Sequence, residues 1–161
     1  MKPNYLLIPL MTVATALGGS WITNQGMSWY KIINLPAWTP AGSVIGVVWT
    51  IIFVLATISA LLVYNLVPKG KKRRQVMYAF LVNAILNVLW SALFFGWHLV
   101  GLAIIEAVVL ALSVLVLIIM IRLKSRAAAI MLYPYFAWVC FATYLTYSVW
   151  SLTFVGGFVP R

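Results

Sequence analysis

Five long apolar stretches, separated by short polar or basic segments, take up most of this 161-residue chain. The first runs about Tyr5 to Trp21, the second Ser43 to Leu66, and the third Val76 to Trp97. The fourth covers about Leu99 to Ile121 and the fifth Ala127 to Phe154. A helix needs roughly 20 apolar residues to cross a bilayer, so each stretch is long enough, the first only just. None shows the strict alternation of a membrane strand, and lipid leaves helices as the remaining way to satisfy the backbone. The pattern therefore predicts an all-α integral membrane protein, a five-helix transmembrane bundle forming one domain over residues 1–161.

The connections are unequal. Ile22 to Gly42 is the longest and carries Trp29, Tyr30, Pro36, Trp38 and Pro40, a heavy aromatic load for a linker. The second and third spans are joined by KGKKRR (Lys69 to Arg74), the third and fourth by a tight corner at His98, the fourth and fifth by RLKSR (Arg122 to Arg126). No internal repeat or low-complexity tract is present.

Composition agrees with a lipid environment. Hydrophobic residues make up 65% and charged residues 7%, against about 25% charged in a soluble domain. The net charge of +10 is confined to helix ends and not interleaved with exposed aromatics, which argues for lipid head groups and against nucleic acid. Lys2, the five basic residues of the second connection and the three of the fourth lie on one side; Lys31 and Arg161 lie on the other. Nine against two sets the N-terminus in the cytoplasm and the first connection and C-terminus outside, as expected in a bacterial inner membrane. The N-terminus lacks a clear cleavage site and reads as an uncleaved first helix. The single cysteine, Cys140, excludes an internal disulfide and is expected to pack as a small hydrophobe.

Few residues remain to carry chemistry. Asn83, Asn87 and Trp90 stand at i, i+4 and i+7, on one face of the third span. Carboxamides in hydrocarbon need partners, which a neighbouring helix or a ligand can supply. Trp49 and Trp138 lie too deep for an interfacial belt; they either pack plainly or direct their indole N–H groups at polar partners. Pro134 is expected to kink the fifth helix beside Trp138. Glu106, the only carboxylic side chain, is costly at mid-bilayer. A bond to a neighbouring helix or a place near the membrane surface explains it better than a proton relay, for which His98 is the only titratable neighbour. No zinc cluster, Walker loop or dinucleotide turn occurs, no metal site is expected, and a two-carboxylate mechanism is excluded by count.

The aromatic pattern resembles the tryptophan-rich sensory protein, or translocator protein (TspO), family along nearly the whole chain. The first connection, WYKIINLPAWTPAG, is similar to that family's loop, and GVVWT follows in the second span. LVNAILNVLWSALFF in the third resembles its Asn-x-x-x-Asn-x-x-Trp-Ser segment. AIIE in the fourth stands where an acid is frequent, and LYPYFAWVCFATYL in the fifth is similar to its Leu-x-Pro-Tyr-x-x-Trp-x-x-Phe-Ala-x-x-Leu signature. Leu35, Ala41, Thr146 and Thr153 depart from the family pattern.

The resemblance implies a ligand cavity capped by the first loop, often in a homodimer. It implies ligands such as porphyrins (protoporphyrin IX, haem) and isoquinoline-type molecules, with no intrinsic cofactor. It also implies a role in tetrapyrrole sensing, with light-dependent porphyrin degradation in some bacterial members. On that basis Trp49 and Trp138 are the candidate catalytic residues. Tyr30, Trp38, Trp49, Asn83, Asn87, Trp90, Trp138 and Ala142 are the candidate ligand contacts. Flat macrocycles suit stacking on indole faces with a few carboxamides for orientation. Transport of lipophilic ligands is the alternative, ranked lower because repeats and broken helices are lacking. A dimeric scaffold is another, with Ala92 and Gly96 as a small-x-x-x-small pair. The animal family's sterol pattern is incomplete after Leu145 and Tyr147, and sterol binding is not expected.

Overall fold

The computed structural model describes residues 4–155; Lys2 and Arg161, which contribute to the charge count, lie outside them. The described residues are all helical or loop: α1 (Asn4–Tyr30), α2 (Gly42–Leu66), α3 (Lys71–Ser91), α4 (Val100–Arg122), α5 (Arg126–Ile130) and α6 (Tyr133–Trp150). Five helical stretches are long and apolar enough to cross a membrane, the third being α3 with its π-helical end and the fifth running from α5 through α6. The protein is an integral membrane bundle.

Three boundaries differ from the sequence expectation. α1 continues about nine residues past Trp21, to Tyr30, so Trp29 and Tyr30 are helical and the first loop shrinks to residues 31–41. The extra turns are held from outside the helix. Gly26 packs so closely on the α3 end that an added Cβ would lie 2.2 Å from the Phe95 carbonyl oxygen. Trp29 stacks on His98 with ring centroids 4.2 Å apart. Tertiary packing thus overrides the weak local preference of Asn24, Gln25 and Ser28.

α3 starts within the basic run, at Lys71, and its last five residues, Ala92–Gly96, form a π-turn. His98 then takes a left-handed conformation (φ 57°) and the chain reverses into α4. Gly96 faces α1, its missing Cβ 3.4 Å from Ile22 Cγ2. Gly96 is therefore used for packing within the chain.

The fifth stretch is interrupted. α5 ends at Ile130, and α6 begins at Tyr133 with Pro134 in its first turn. Pro134 starts a helix and does not kink one, because a first-turn position needs no backbone N–H. The Ser125 hydroxyl caps α5 by accepting from Ala128 N at 3.2 Å.

α4 is the central staff: 39% of its apolar window is buried, against 6% for α1. It packs against α3 on one side and α6 on the other. A large apolar cluster around Leu110, Val114 and Leu117 fills the end nearer the basic connections. A second, around Phe94, Val100 and Ala103, fills the loop end. Large apolar side chains such as Leu6, Leu10, Ile51 and Ile105 face outward, the surface a bilayer covers. Cys140 also faces outward, so it is not a core hydrophobe.

Candidate functional site

The centre of the bundle is organised by one hydroxyl. Tyr135, 3% exposed and one turn into α6, donates to Asn83 Oδ1 at 3.0 Å and accepts from Asn87 Nδ2 at 3.1 Å. Asn83 Nδ2 in turn donates to the Ser113 hydroxyl on α4 at 2.8 Å. Both carboxamides face inward as the i, i+4 spacing predicts. Their partners are neighbouring helices, and the network ties α3, α4 and α6 together. Sequence reasoning did not single out Tyr135; its place in the aromatic signature three residues before Trp138 was the available signal.

The candidate tryptophans stand around this network. Trp49 of α2 meets the Tyr135 ring edge-on at 6.0 Å and packs on Phe53 at 5.7 Å. Trp138, one turn along α6 from Tyr135, packs on Phe141 at 5.2 Å. Phe141 meets Trp38 of the loop at 6.0 Å, and Trp38 stacks on Tyr144 at 5.5 Å with planes 13° apart. An aromatic series thus runs from the loop to the interior. Trp90 stacks on Phe94 at 5.3 Å, and Tyr30 packs on Phe94 and Phe95. Tyr30 and Trp38 therefore rest on different supports, the π-turn and α6. Ala142 is partly buried on α6, and its carbonyl accepts from Thr146 Oγ1 at 2.8 Å.

The loop is fastened at the far end of α6. Asn34 Nδ2 donates to the Leu152 carbonyl at 3.4 Å, and Thr153 Oγ1 donates to the Asn34 carbonyl at 3.3 Å. Thr153, a departure from the family pattern, thereby holds the loop closed.

A cavity of about 120 Å³ lies beside the network, lined by Ile8 and Thr12 of α1, Phe53 of α2, and Asn83, Asn87 and Tyr135 among others. Its lining includes no residue of the loop. Trp38 covers the outer face of α6, whereas the cavity opens between α1, α2 and α3. Of the candidate contacts, Asn83 and Asn87 line it. Trp49 and Trp138 do not line it, although Trp49 packs on two residues that do, Phe53 and Tyr135. Glu106 is buried, with both oxygens lacking a partner. It does not bond a neighbouring helix.

Comparison with known proteins agrees with this architecture. The sequence profile of the TspO/MBR family matches residues 6–151. A tryptophan-rich protein TspO of Bacillus cereus is 31% identical over 94% of this chain and 98% of its own length. The protein CrtK of Rhodobacter capsulatus is 30% identical over 78% of each chain. The human translocator protein is 28% identical over 93% of this chain and 92% of its own. With the profile covering nearly all of a five-helix membrane bundle, this chain belongs to the TspO/MBR family.

Proposed function

We propose that this protein binds porphyrins and similar flat apolar ligands inside the bundle and acts in tetrapyrrole sensing or disposal. The observation that carries the reading is the arrangement around Tyr135. Its ring meets Trp49, its hydroxyl holds Asn83 and Asn87, and Trp138 follows one turn later. Indole faces suit a planar macrocycle, and the carboxamides orient it. The cavity of about 120 Å³ is smaller than the roughly 300–1,000 Å³ of drug-sized sites, so a macrocycle enters by displacing α1, the least buried span. Trp49 and Trp138 are the residues assigned to light-dependent oxidation of bound protoporphyrin IX, with dioxygen as oxidant. The protein's part is positioning and shielding. The charge bias supports a cytoplasmic basic end in an inner membrane, and the reading includes a homodimer.

The test is a dark titration of purified protein with protoporphyrin IX, followed by tryptophan quenching, and then illumination with the absorption spectrum recorded. Saturable quenching and conversion of the Soret band to a defined product, lost in Trp49→Phe and Trp138→Phe, supports binding with turnover. A stable spectrum after binding leaves a sensor or carrier. Absence of saturable binding removes the porphyrin reading.

A further inference from the structure

The basic end of the bundle has no counter-charge of its own. The chain holds one acid, Glu106, against eleven lysines and arginines. That acid lies sixteen residues along α4 from Arg122, about 24 Å away. Arg73 is held within the chain: its guanidinium donates to the Tyr64 carbonyl at 3.2 Å and lies 4.5 Å over the Tyr64 ring. Lys72, Arg74, Arg122 and Lys124 stay exposed. The Asn83–Ser113 bond fixes the register of antiparallel α3 and α4. Eleven residues back from Asn83 stands Lys72, and eleven on from Ser113, in the same direction through the bundle, stands Lys124. Eleven residues are three helical turns, so both lysines keep the faces of the bonded pair and lie at one level, about 16 Å beyond the bond. Lys124 follows directly on the helix, its backbone N–H donating to the Ile121 carbonyl at 2.7 Å. One turn further in, Val76 and Ile121 are buried in the same apolar cluster, so the two helices stay packed up to the lysines. Arg74 continues the outward line of Tyr78 and Val82 on α3, and Arg122 that of Leu112 and Ile119 on α4. Leu123, between Arg122 and Lys124, is 82% exposed.

Four exposed cations on two adjacent helix ends repel one another until an anion is supplied from outside. Packed helix axes run roughly 8–10 Å apart, a gap that the long side chains of Lys72 and Lys124 span to reach one phosphate between them. The guanidinium groups of Arg74 and Arg122 suit a second, since their planar fork matches phosphate oxygens. The apolar positions decide where the phosphate comes from. A soluble anion leaves Leu123 and Tyr78 in water. A phospholipid sets its head group on the cations and its acyl chains on those side chains and on the outward-facing residues further along the helices. We propose that the α3–α4 groove at the basic end is a head-group site for a phospholipid carrying two phosphates, of the diphosphatidylglycerol type. Lys72 and Lys124 hold it across the groove, and Arg74 and Arg122 flank it. A single-phosphate lipid neutralises only part of the cluster in one binding event.

Native mass spectrometry of the purified full-length protein, titrated with diphosphatidylglycerol, phosphatidylglycerol or phosphatidylcholine, tests this. At matched phosphate concentration diphosphatidylglycerol is expected to bind most tightly and phosphatidylcholine least. Each cation removed from the groove is expected to cost about fivefold in affinity, so Lys72→Gln with Lys124→Gln lowers it about 25-fold. Lys69→Gln with Lys71→Gln removes the same charge outside the groove and is expected to cost less than about fivefold in total. Equal losses in the two double variants reduce the patch to a diffuse positive field and overturn the site. Equal affinity for phosphatidylglycerol overturns the two-phosphate reading, and displacement of the lipid by equimolar pyrophosphate assigns the cations to a soluble anion instead. Thermal unfolding in detergent gives a second measure: diphosphatidylglycerol raises the wild-type melting temperature, and the rise shrinks when Lys72 and Lys124 are both replaced. If that double variant does not fold, the single variants and the order of lipids on the wild type decide the matter.

Discussion

The Tyr135 hydroxyl donates to Asn83 and accepts from Asn87, so one side chain of α6 satisfies two carboxamides of α3. Tyr135→Phe leaves Asn83 Oδ1 and Asn87 Nδ2 without these partners in an apolar interior. The expected loss is roughly 1–3 kcal/mol, at the lower end if the chain finds substitute partners in the membrane. Thermal unfolding in detergent measures it. A stability equal to wild type would show that the network contributes nothing net.

Gly26 faces the Phe95 carbonyl, and a Cβ there would overlap it at 2.2 Å. The contact is backbone and cannot rotate away. Gly26→Ala is expected to push α1 off the π-turn and to destabilise by about 1–3 kcal/mol. Gly46→Ala is the control, since nothing lies within 4 Å of its added methyl group, and it should leave the melting temperature nearly unchanged.

Glu106 is a buried carboxyl without a partner. Replacing it with Leu removes a group that costs at least a few kcal/mol to hold in hydrocarbon. Glu106→Leu should therefore raise the melting temperature, read by thermal unfolding in detergent. A lower melting temperature would mean that the carboxyl is satisfied in the folded protein.

Trp38 stacks on Tyr144 and remains 46% exposed. Trp38→Ala should cost at most about 1.5 kcal/mol of stability, because little of the core depends on it. If the loop retains bound ligand, the same change speeds protoporphyrin dissociation, read by stopped-flow quenching. An unchanged dissociation rate would confine Trp38 to packing.

Orientation is open to direct chemistry. In a Cys140→Ser background, Ala41→Cys marks the loop end and Lys72→Cys the basic end. A membrane-impermeant maleimide applied to intact cells should label the first and spare the second, given the charge bias. The reverse labelling would invert the assignment.

The sequence by itself determined the five spans, the absence of strands from the pattern, and the inward placement of Asn83 and Asn87. These follow from run length and from 3.6-residue periodicity, which act locally and survive any arrangement of the helices. The family was also legible, because its aromatic motifs occur in order along the chain. The extension of α1 to Tyr30 was not legible. It depends on Phe95 and His98, about 70 residues away, which hold polar-looking turns in a helix. Nor was the role of Pro134, since a proline kinks or starts a helix according to where the preceding turn ends. Which partner each buried polar group finds was likewise decided by tertiary structure. Asn83, Asn87 and Glu106 all look costly in sequence, yet packing brings Tyr135 and Ser113 to the two carboxamides and nothing to the carboxyl. Periodicity fixes the face a residue occupies; only the register between helices fixes what stands opposite.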